Sequence, residues 1–362
     1  MYEKLADFLD SFLEMGVPGY DCLLRVHGEP VFRRMNGFSD REAGIPMKGN
    51  ERYHIYSCSK VITCAAALQL FEKGLFKLDD ELCRYMPEFE HMNVRTEQGI
   101  VPAKNRITIR NLFTMTAGFN YNIQADALKR CHAETGGRCP TRELIRYLAQ
   151  EPLDFEPGAR WAYSLCHDVL PALVEVLTGT LFNDYVTKHI FKPLGMKDST
   201  YLMPMDEFET ALTPEYIRPW GSTGSDVNRM ETTNCYRLGS EYASGGAGCV
   251  STVEDYSRFL EALRVGDVIL KKETVRLMAQ NQLTDAQYQT FTQPAYGYGL
   301  GVRCPREGGV KSDFGWGGAA GAWLAIDPKY DFTVYYAQHV MNSPNQGFRI
   351  QIGDLIREEL SR

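Results

Sequence analysis

The sequence predicts an α+β fold: an antiparallel sheet assembled from both ends of the chain and flanked by helices, with a mainly helical segment inserted between them. Three observations lead there. The opening segment joins a helical apolar stripe to a hairpin pattern. The middle of the chain repeats helical segments stopped by glycine or proline. The last third returns to short strand-like runs divided by turn residues and closes on an amphipathic helix.

Leu5, Phe8, Leu9, Phe12 and Leu13 recur at helical spacing over residues 2–15, and the stretch Gly16 to Gly19, with Pro18 inside, ends that helix. Two apolar runs then flank His27-Gly28-Glu29-Pro30, the pattern of a β-hairpin. Residues 57–74, rich in Ala, Leu, Val and Ile and closed by Gly74, predict a long, mostly buried helix. Residues 106–116 read as a helix entered after Thr108 and stopped by Gly118. Further helices are expected at 141–150, at 168–178 ending on Gly179, and at 183–191 before Pro193 and Gly195. Residues 204–240, rich in Pro, Gly and Thr, read as loop. Ala243 to Gly248 form a glycine-rich turn ahead of a helix at 252–264. Residues 296–304, 320–328 and 332–340 read as strands and 310–318 as the start of one, an antiparallel meander followed by a helix at 347–360. The expected division is a sheet domain of residues 1–80 and 236–362 around a mainly helical domain of residues 81–235, with the active site in the cleft between them.

Composition narrows the function classes. Of the 362 residues, 44% are hydrophobic and 23% charged, which fits a globular chain with a substantial core. Acidic residues outnumber basic ones, 46 to 39, and no run of Lys or Arg exceeds two, so the basic footprint of a nucleic-acid binder is missing. Glu3, Lys4, Asp7, Asp10 and Glu14 interrupt any signal-like apolar run, and no stretch approaches a membrane span, so the expectation is a cytoplasmic protein. The ten cysteines are scattered without a C-x-x-C pair, which predicts reduced thiols packed as small hydrophobes. Neither a metal nor a cofactor is expected, and with nucleic acid and membrane excluded the expected partner is a small molecule.

Three segments carry residue types suited to chemistry. Ser57-Cys58-Ser59-Lys60 is an S-x-x-K motif at the start of the long helix, where positions i and i+3 share a face and the amine reaches the hydroxyl. A serine needs a base to become a nucleophile, and burial with the positive potential of a helix N-terminus favours a neutral lysine. About one such motif arises by chance in a chain this long, so its surroundings matter; Cys58, Val61 and Ile62 crowd Lys60 here, unlike a surface pair. In Trp161-Ala162-Tyr163-Ser164-Leu165-Cys166-His167-Asp168, Tyr163 can share a proton with Ser57 or pass one to a leaving group, or can be a packed aromatic before a helix. Asp168 suits a helix N-terminus with or without a catalytic role. Gly315 to Gly321 is a run of small residues around Trp316, either a glycine-rich turn or a strand against which substrate lies, whose N–H can complete an oxyanion hole with that of Ser57.

In this order the three segments resemble the serine β-lactamase and penicillin-binding superfamily, and within it the family VIII carboxylesterases and class C β-lactamase relatives. The supporting stretches are ITIRNLFTMTAGF (107–119), FEPGARWAYS (155–164), HIFKPLGMKDSTY (189–201), SGGAGCVSTVEDYSRF (244–259) and YGLGV (298–302), so the resemblance covers nearly the whole chain. It implies a β-lactamase/transpeptidase-like fold. It also implies Ser57 as acylated nucleophile, Lys60 as its base and Tyr163 as partner of both, with the N–H groups of Ser57 and Ala319 as the oxyanion hole. Trp316, Gly317 and Gly318 then occupy the third motif. Substrate contacts are expected from Trp316, Gly317, Gly318, Asp168 and Tyr121, although Tyr121, like Trp220 and Tyr296, suits ordinary packing equally well.

Two departures from the β-lactamase pattern set the substrate expectation. Leu165 stands where Tyr-x-Asn has its amide, and Trp316 stands where the third motif has a lysine that helps bind the substrate carboxylate. Both favour small neutral esters over penicillins. The alternatives are a β-lactamase, D-amino-acid peptidase or acyltransferase of the same fold, and a non-catalytic sensor.

Overall fold

The computed structural model describes residues 2–222 and 224–362. Its main sheet draws on both chain ends. Strands β1 (Gly19–Val26) and β2 (Glu29–Asp40) come from the N-terminal segment, and β3 (Trp323–Asp327) and β4 (Phe332–Gln338) from the C-terminal one. The order is β3-β4-β1-β2, with Ile45–Pro46 added at the outer edge of β2. All pairings are antiparallel; Leu23 faces Tyr335 and Tyr20 faces Asn36. The β1–β2 turn needs only His27 and Gly28, at φ 52° and 87°, the positive values that match strand twist in a two-residue hairpin.

The helices that position the site are α1 (Glu3–Glu14), α2 (Ser59–Glu72), α3 (Cys166–Thr178), α4 (Val253–Val265) and α5 (Gln351–Leu360). Period-two alternation sorts the sheet residues between two cores. Tyr20, Cys22, Leu24, Ala325, Val334 and Tyr336 pack on Leu5, Leu9 and Phe12 of α1 and Ile352 and Ile356 of α5. Leu23, Leu324, Ile326, Tyr335 and Ala337 point the other way, into the larger core that holds α2, α3 and α4. Helix α2 is apolar all round and lies inside that core, as a helix without a polar face must. Thr108 and Thr252 cap the helices that follow them by accepting from the N–H groups of Asn111 and Asp255.

The structure departs from the sequence expectation in several places, the unexpected hairpin Asn93–Thr96/Gly99–Pro102 among them. Residues 296–304 are a tight hairpin, Gly297–Tyr298 against Arg303–Cys304, because Gly301 turns the chain at φ 92°. Residues 310–318 touch their neighbours through isolated bridges at Phe314, Gly315 and Gly317 rather than a continuous ladder. Helices Asp126–Glu134 and Lys272–Met278 were not anticipated. Tyr216–Ile217, in the segment read as loop, pairs in parallel with Val340–Met341. Among the described residues no helix is long and apolar enough to cross a membrane, and eight of the ten free cysteines are buried, Cys83 and Cys235 being the others.

Candidate active site

Ser57 lies in a single 3-10 turn, Tyr56–Cys58, that leads directly into α2. In that geometry residues three apart eclipse one another, and Lys60 Nζ comes within 3.3 Å of Ser57 Oγ. Lys60 is fully buried, and it also donates to Tyr121 Oη at 3.1 Å and to the Gly246 carbonyl at 2.6 Å. None of these partners is charged. The amine also lies near the rings of Tyr163 and Tyr121, 4.7 and 5.2 Å from their centroids. Tyr163 Oη donates to Ser57 Oγ at 2.6 Å, the closest contact of the hydroxyl.

Three aromatic rings hold this geometry. Tyr121 stacks on Tyr163 (centroids 5.4 Å apart, 14° between planes), and Trp316 also stacks on Tyr163, at 5.9 Å and 18°. Trp316 Nε1 donates to Tyr163 Oη at 3.4 Å, so the indole orients the phenol as well as covering it. Ser57, Tyr121, Tyr163, Trp316, Gly317, Gly318 and Ala319 line one cavity of about 890 Å³. Among the described residues neither the Ser57 N–H nor the Ala319 N–H donates to a protein acceptor, which leaves both available to a substrate oxygen. A site with this layout can activate a hydroxyl, hold an oxyanion and return a proton.

The family model for beta-lactamase matches residues 5–356. The chain belongs to the beta-lactamase family. Esterase EstB of Burkholderia gladioli is 31% identical to this beta-lactamase family member over 352 residues, covering 91% of this chain and 88% of its own. Among solved structures, EstCE1, described as a hydrolase with promiscuous acyltransferase activity, superposes with a TM-score of 0.77 at 24% identity, covering 99% and 98% of the two chains. A simvastatin synthase mutant (LovD6) from Aspergillus terreus gives 0.79 at 22% identity, covering 98% of this chain and 93% of its own. The fold is therefore β-lactamase/transpeptidase-like, and the chain is an enzyme of the serine hydrolase superfamily.

Within this beta-lactamase-family site, Tyr121, Trp316, Gly317 and Gly318 line the cavity as expected, and one expected contact, Asp168, is placed differently. Asp168 is 1% exposed and does not line the cavity, so the expected substrate contact is replaced by a structural one. Its Oδ1 accepts from Tyr242 Oη (2.7 Å), Ser244 Oγ (2.7 Å) and the Gly246 N–H (3.2 Å), which fixes the loop whose carbonyl holds Lys60. Gly246 has to be glycine, because a Cβ there would lie 2.4 Å from Asp168 Oδ2 and 3.0 Å from Tyr121 Oη. Gly318 likewise serves close packing: a Cβ would meet the Ile55 carbonyl at 2.5 Å, and its absence lets the third segment approach the nucleophile turn. Leu165 is buried and does not line the cavity. Of the other aromatics, Tyr296 lines the cavity, whereas Trp220 is 82% exposed and does not.

Arg349 was missed in the sequence. It lines the cavity at 8% exposure and reaches only carbonyls, Ala322 O at 3.2 Å and Gly318 O at 3.5 Å. Its Nε has no partner, and burial pulls the guanidinium below its ordinary range. The neighbouring Arg303, by contrast, is paired with Asp313 at 3.0 Å. Nothing local in SPNQGFR signals an arginine left without a carboxylate. Among the described residues no cluster of His, Cys, Asp or Glu is suited to a metal ion.

Proposed function

We propose that this chain is a carboxylesterase that forms an acyl-enzyme on Ser57. The observation that carries the reading is the convergence of Tyr163 Oη and Lys60 Nζ on Ser57 Oγ, at 2.6 and 3.3 Å, in the wall of an aromatic-lined cavity. In this scheme Lys60 takes the Ser57 proton while Oγ adds to the ester carbonyl. The N–H groups of Ser57 and Ala319 receive the oxyanion. Tyr163 passes a proton to the departing alkoxide, and the Lys60–Tyr163 pair then deprotonates the water that releases the acid.

The structure qualifies the expectation of a neutral substrate. Trp316 offers no cation, but Arg349 does, in the same cavity wall. The cavity therefore suits an ester whose body is apolar or aromatic and accommodates a carboxylate at the Arg349 end. Arg349→Ala is expected to lower kcat/KM about tenfold or more for an ester bearing a free carboxylate, and to change it less than about threefold for the matching methyl-capped ester. Equal losses on both would count against this assignment.

Acyl transfer to an alcohol is a second reading, favoured by the cavity volume of about 890 Å³, which exceeds what a short ester fills. The promiscuous acyltransferase activity of the similarly folded hydrolase EstCE1 agrees with it. The test for both is one set of rates: short-chain p-nitrophenyl esters with and without an acceptor alcohol, beside a chromogenic cephalosporin. Fast ester cleavage with little cephalosporin cleavage supports the esterase. A new ester product at the expense of free acid supports transfer. Cephalosporin cleavage at an equal or higher rate overturns the esterase reading in favour of a β-lactamase.

A further inference from the structure

A buried contact behind the nucleophile turn is unused by this scheme. Tyr56, the residue before Ser57, holds a left-handed backbone at φ 47°, a conformation that a residue with a bulky side chain adopts only when its surroundings impose it. Its side chain is 2% exposed, and its Oη donates to the Glu215 carboxyl, 2.8 Å from Oε1 and 2.9 Å from Oε2, with the Thr233 carbonyl at 3.3 Å. Glu215 is also 2% exposed. It immediately precedes Tyr216–Ile217, the short strand fixed by pairing to Val340–Met341 and to Asn228–Arg229, so its backbone is anchored independently of the nucleophile turn.

The Tyr56 ring packs with Ala247 and Ala320. Ala247 follows Gly246, whose carbonyl holds Lys60; Ala320 follows Ala319, which lines the cavity. One ring thus abuts the neighbours of the lysine cradle and of the second oxyanion donor, and its own backbone leads into Ser57.

We propose that Glu215, acting through Tyr56, is a positioning residue for this site, pinning the left-handed turn so that the Ser57 hydroxyl and N–H, the Gly246 carbonyl and the Ala319 N–H keep their spacing. The inference rests on the reading of Ser57 as the acylated residue. The pin also makes the site sensitive to alkaline pH. Burial pushes the Glu215 carboxyl up to about 8, against the Tyr56 hydrogen bond, which favours the carboxylate, and the charge of Glu209 adds to the rise. The remaining groups around the pair are the Cys235 thiol, the Tyr236 ring, and His54, which burial keeps neutral with a value of about 3. Arg237, which faces His54, spends its donors on the carbonyls of Gly239, Ser240, Tyr201 and Met203. Among the described residues the groups that act on the Glu215 carboxyl are Tyr56 and Glu209, and neither is a cation.

The sign follows from the direction of that shift. A carboxyl held neutral by the fold supports it fully at low pH and progressively less as pH climbs from the ordinary carboxylate range to about 8. Above that, the buried carboxylate has no counterion, and the water it draws in competes with Tyr56 for its oxygens.

The test is kcat and KM on a p-nitrophenyl ester from pH 6 to 10, for the wild type, Glu215→Gln, Glu215→Ala and Tyr56→Phe, with thermal melts at pH 7. The wild type is expected to lose kcat above pH about 8 at nearly constant KM. Glu215→Gln, which still accepts from Tyr56 but does not titrate, keeps neutral-pH kcat within about threefold and lacks that alkaline fall. Glu215→Ala and Tyr56→Phe each lower kcat at pH 7 about tenfold with KM within about twofold. The same alkaline limb in wild type and Glu215→Gln, or unchanged kcat in Tyr56→Phe, overturns the proposal; should a Glu215 variant not fold, Tyr56→Phe decides alone. A wild type that cleaves no ester and takes no fluorophosphonate label at Ser57 instead overturns the acyl-enzyme reading itself.

Discussion

Ser57→Ala is expected to lower kcat/KM on every ester by at least about 10³-fold, because removing the nucleophile of a serine hydrolase leaves only binding and oxyanion stabilisation. The fold should survive, since Ser57 sits in a turn at the cavity wall and, among the described residues, its Oγ hydrogen-bonds only to Lys60 and Tyr163. The neighbouring Cys58 supplies the control. Its thiol is fully buried, and burial pushes it up to about 12, so it is neither accessible nor ionised. Cys58→Ala should keep most of the activity. A dead Cys58→Ala that still folds, or an active Ser57→Ala, would place the nucleophile elsewhere.

The second large effect is expected at Tyr163. Tyr163→Phe removes one oxygen and leaves the stack with Tyr121 and Trp316 intact. What is lost is the 2.6 Å hydrogen bond to Ser57 Oγ and the acceptor of Trp316 Nε1. General acid–base groups contribute about 10²–10⁴-fold, and a loss of that size is expected in kcat, with KM changed far less. Stability should fall by no more than about 1 kcal/mol, the net worth of one hydrogen bond. A loss seen mainly in KM would make Tyr163 a binding residue and leave Lys60 as the sole proton carrier.

The parts of this molecule legible in its sequence are those fixed by local spacing. Ser57 and Lys60 meet because they are three residues apart across a helix start, and the Thr108 and Thr252 caps sit beside the helices they start. β1 and β4 are buried on both faces and so read as largely apolar runs. The pattern was misleading where glycine turns a strand-like run back on itself, as at Gly301. It was thin where few residues are buried, as in Asp126–Glu134, where only Ala127, Leu128 and Cys131 reach the core.

The rest of the site depends on residues distant in the chain. Gly246 lies 186 positions from the lysine it holds, and Glu215 lies 159 from Tyr56. Asp168 was singled out by its place at a helix start, but only the loop packed against it shows that it braces the lysine cradle and does not face substrate. Arg349 is defined by a missing partner, which no spacing reveals.

The central claim is the covalent intermediate on Ser57. Intact-mass analysis after rapid mixing with a slowly turned-over p-nitrophenyl ester, followed by peptide mapping, tests it most directly. The account predicts a mass increase equal to the acyl group, located on the peptide containing Ser57, absent in Ser57→Ala and decaying as free acid appears. An adduct on another residue, or steady ester turnover under quench with no adduct in wild type or in Tyr163→Phe, would contradict it.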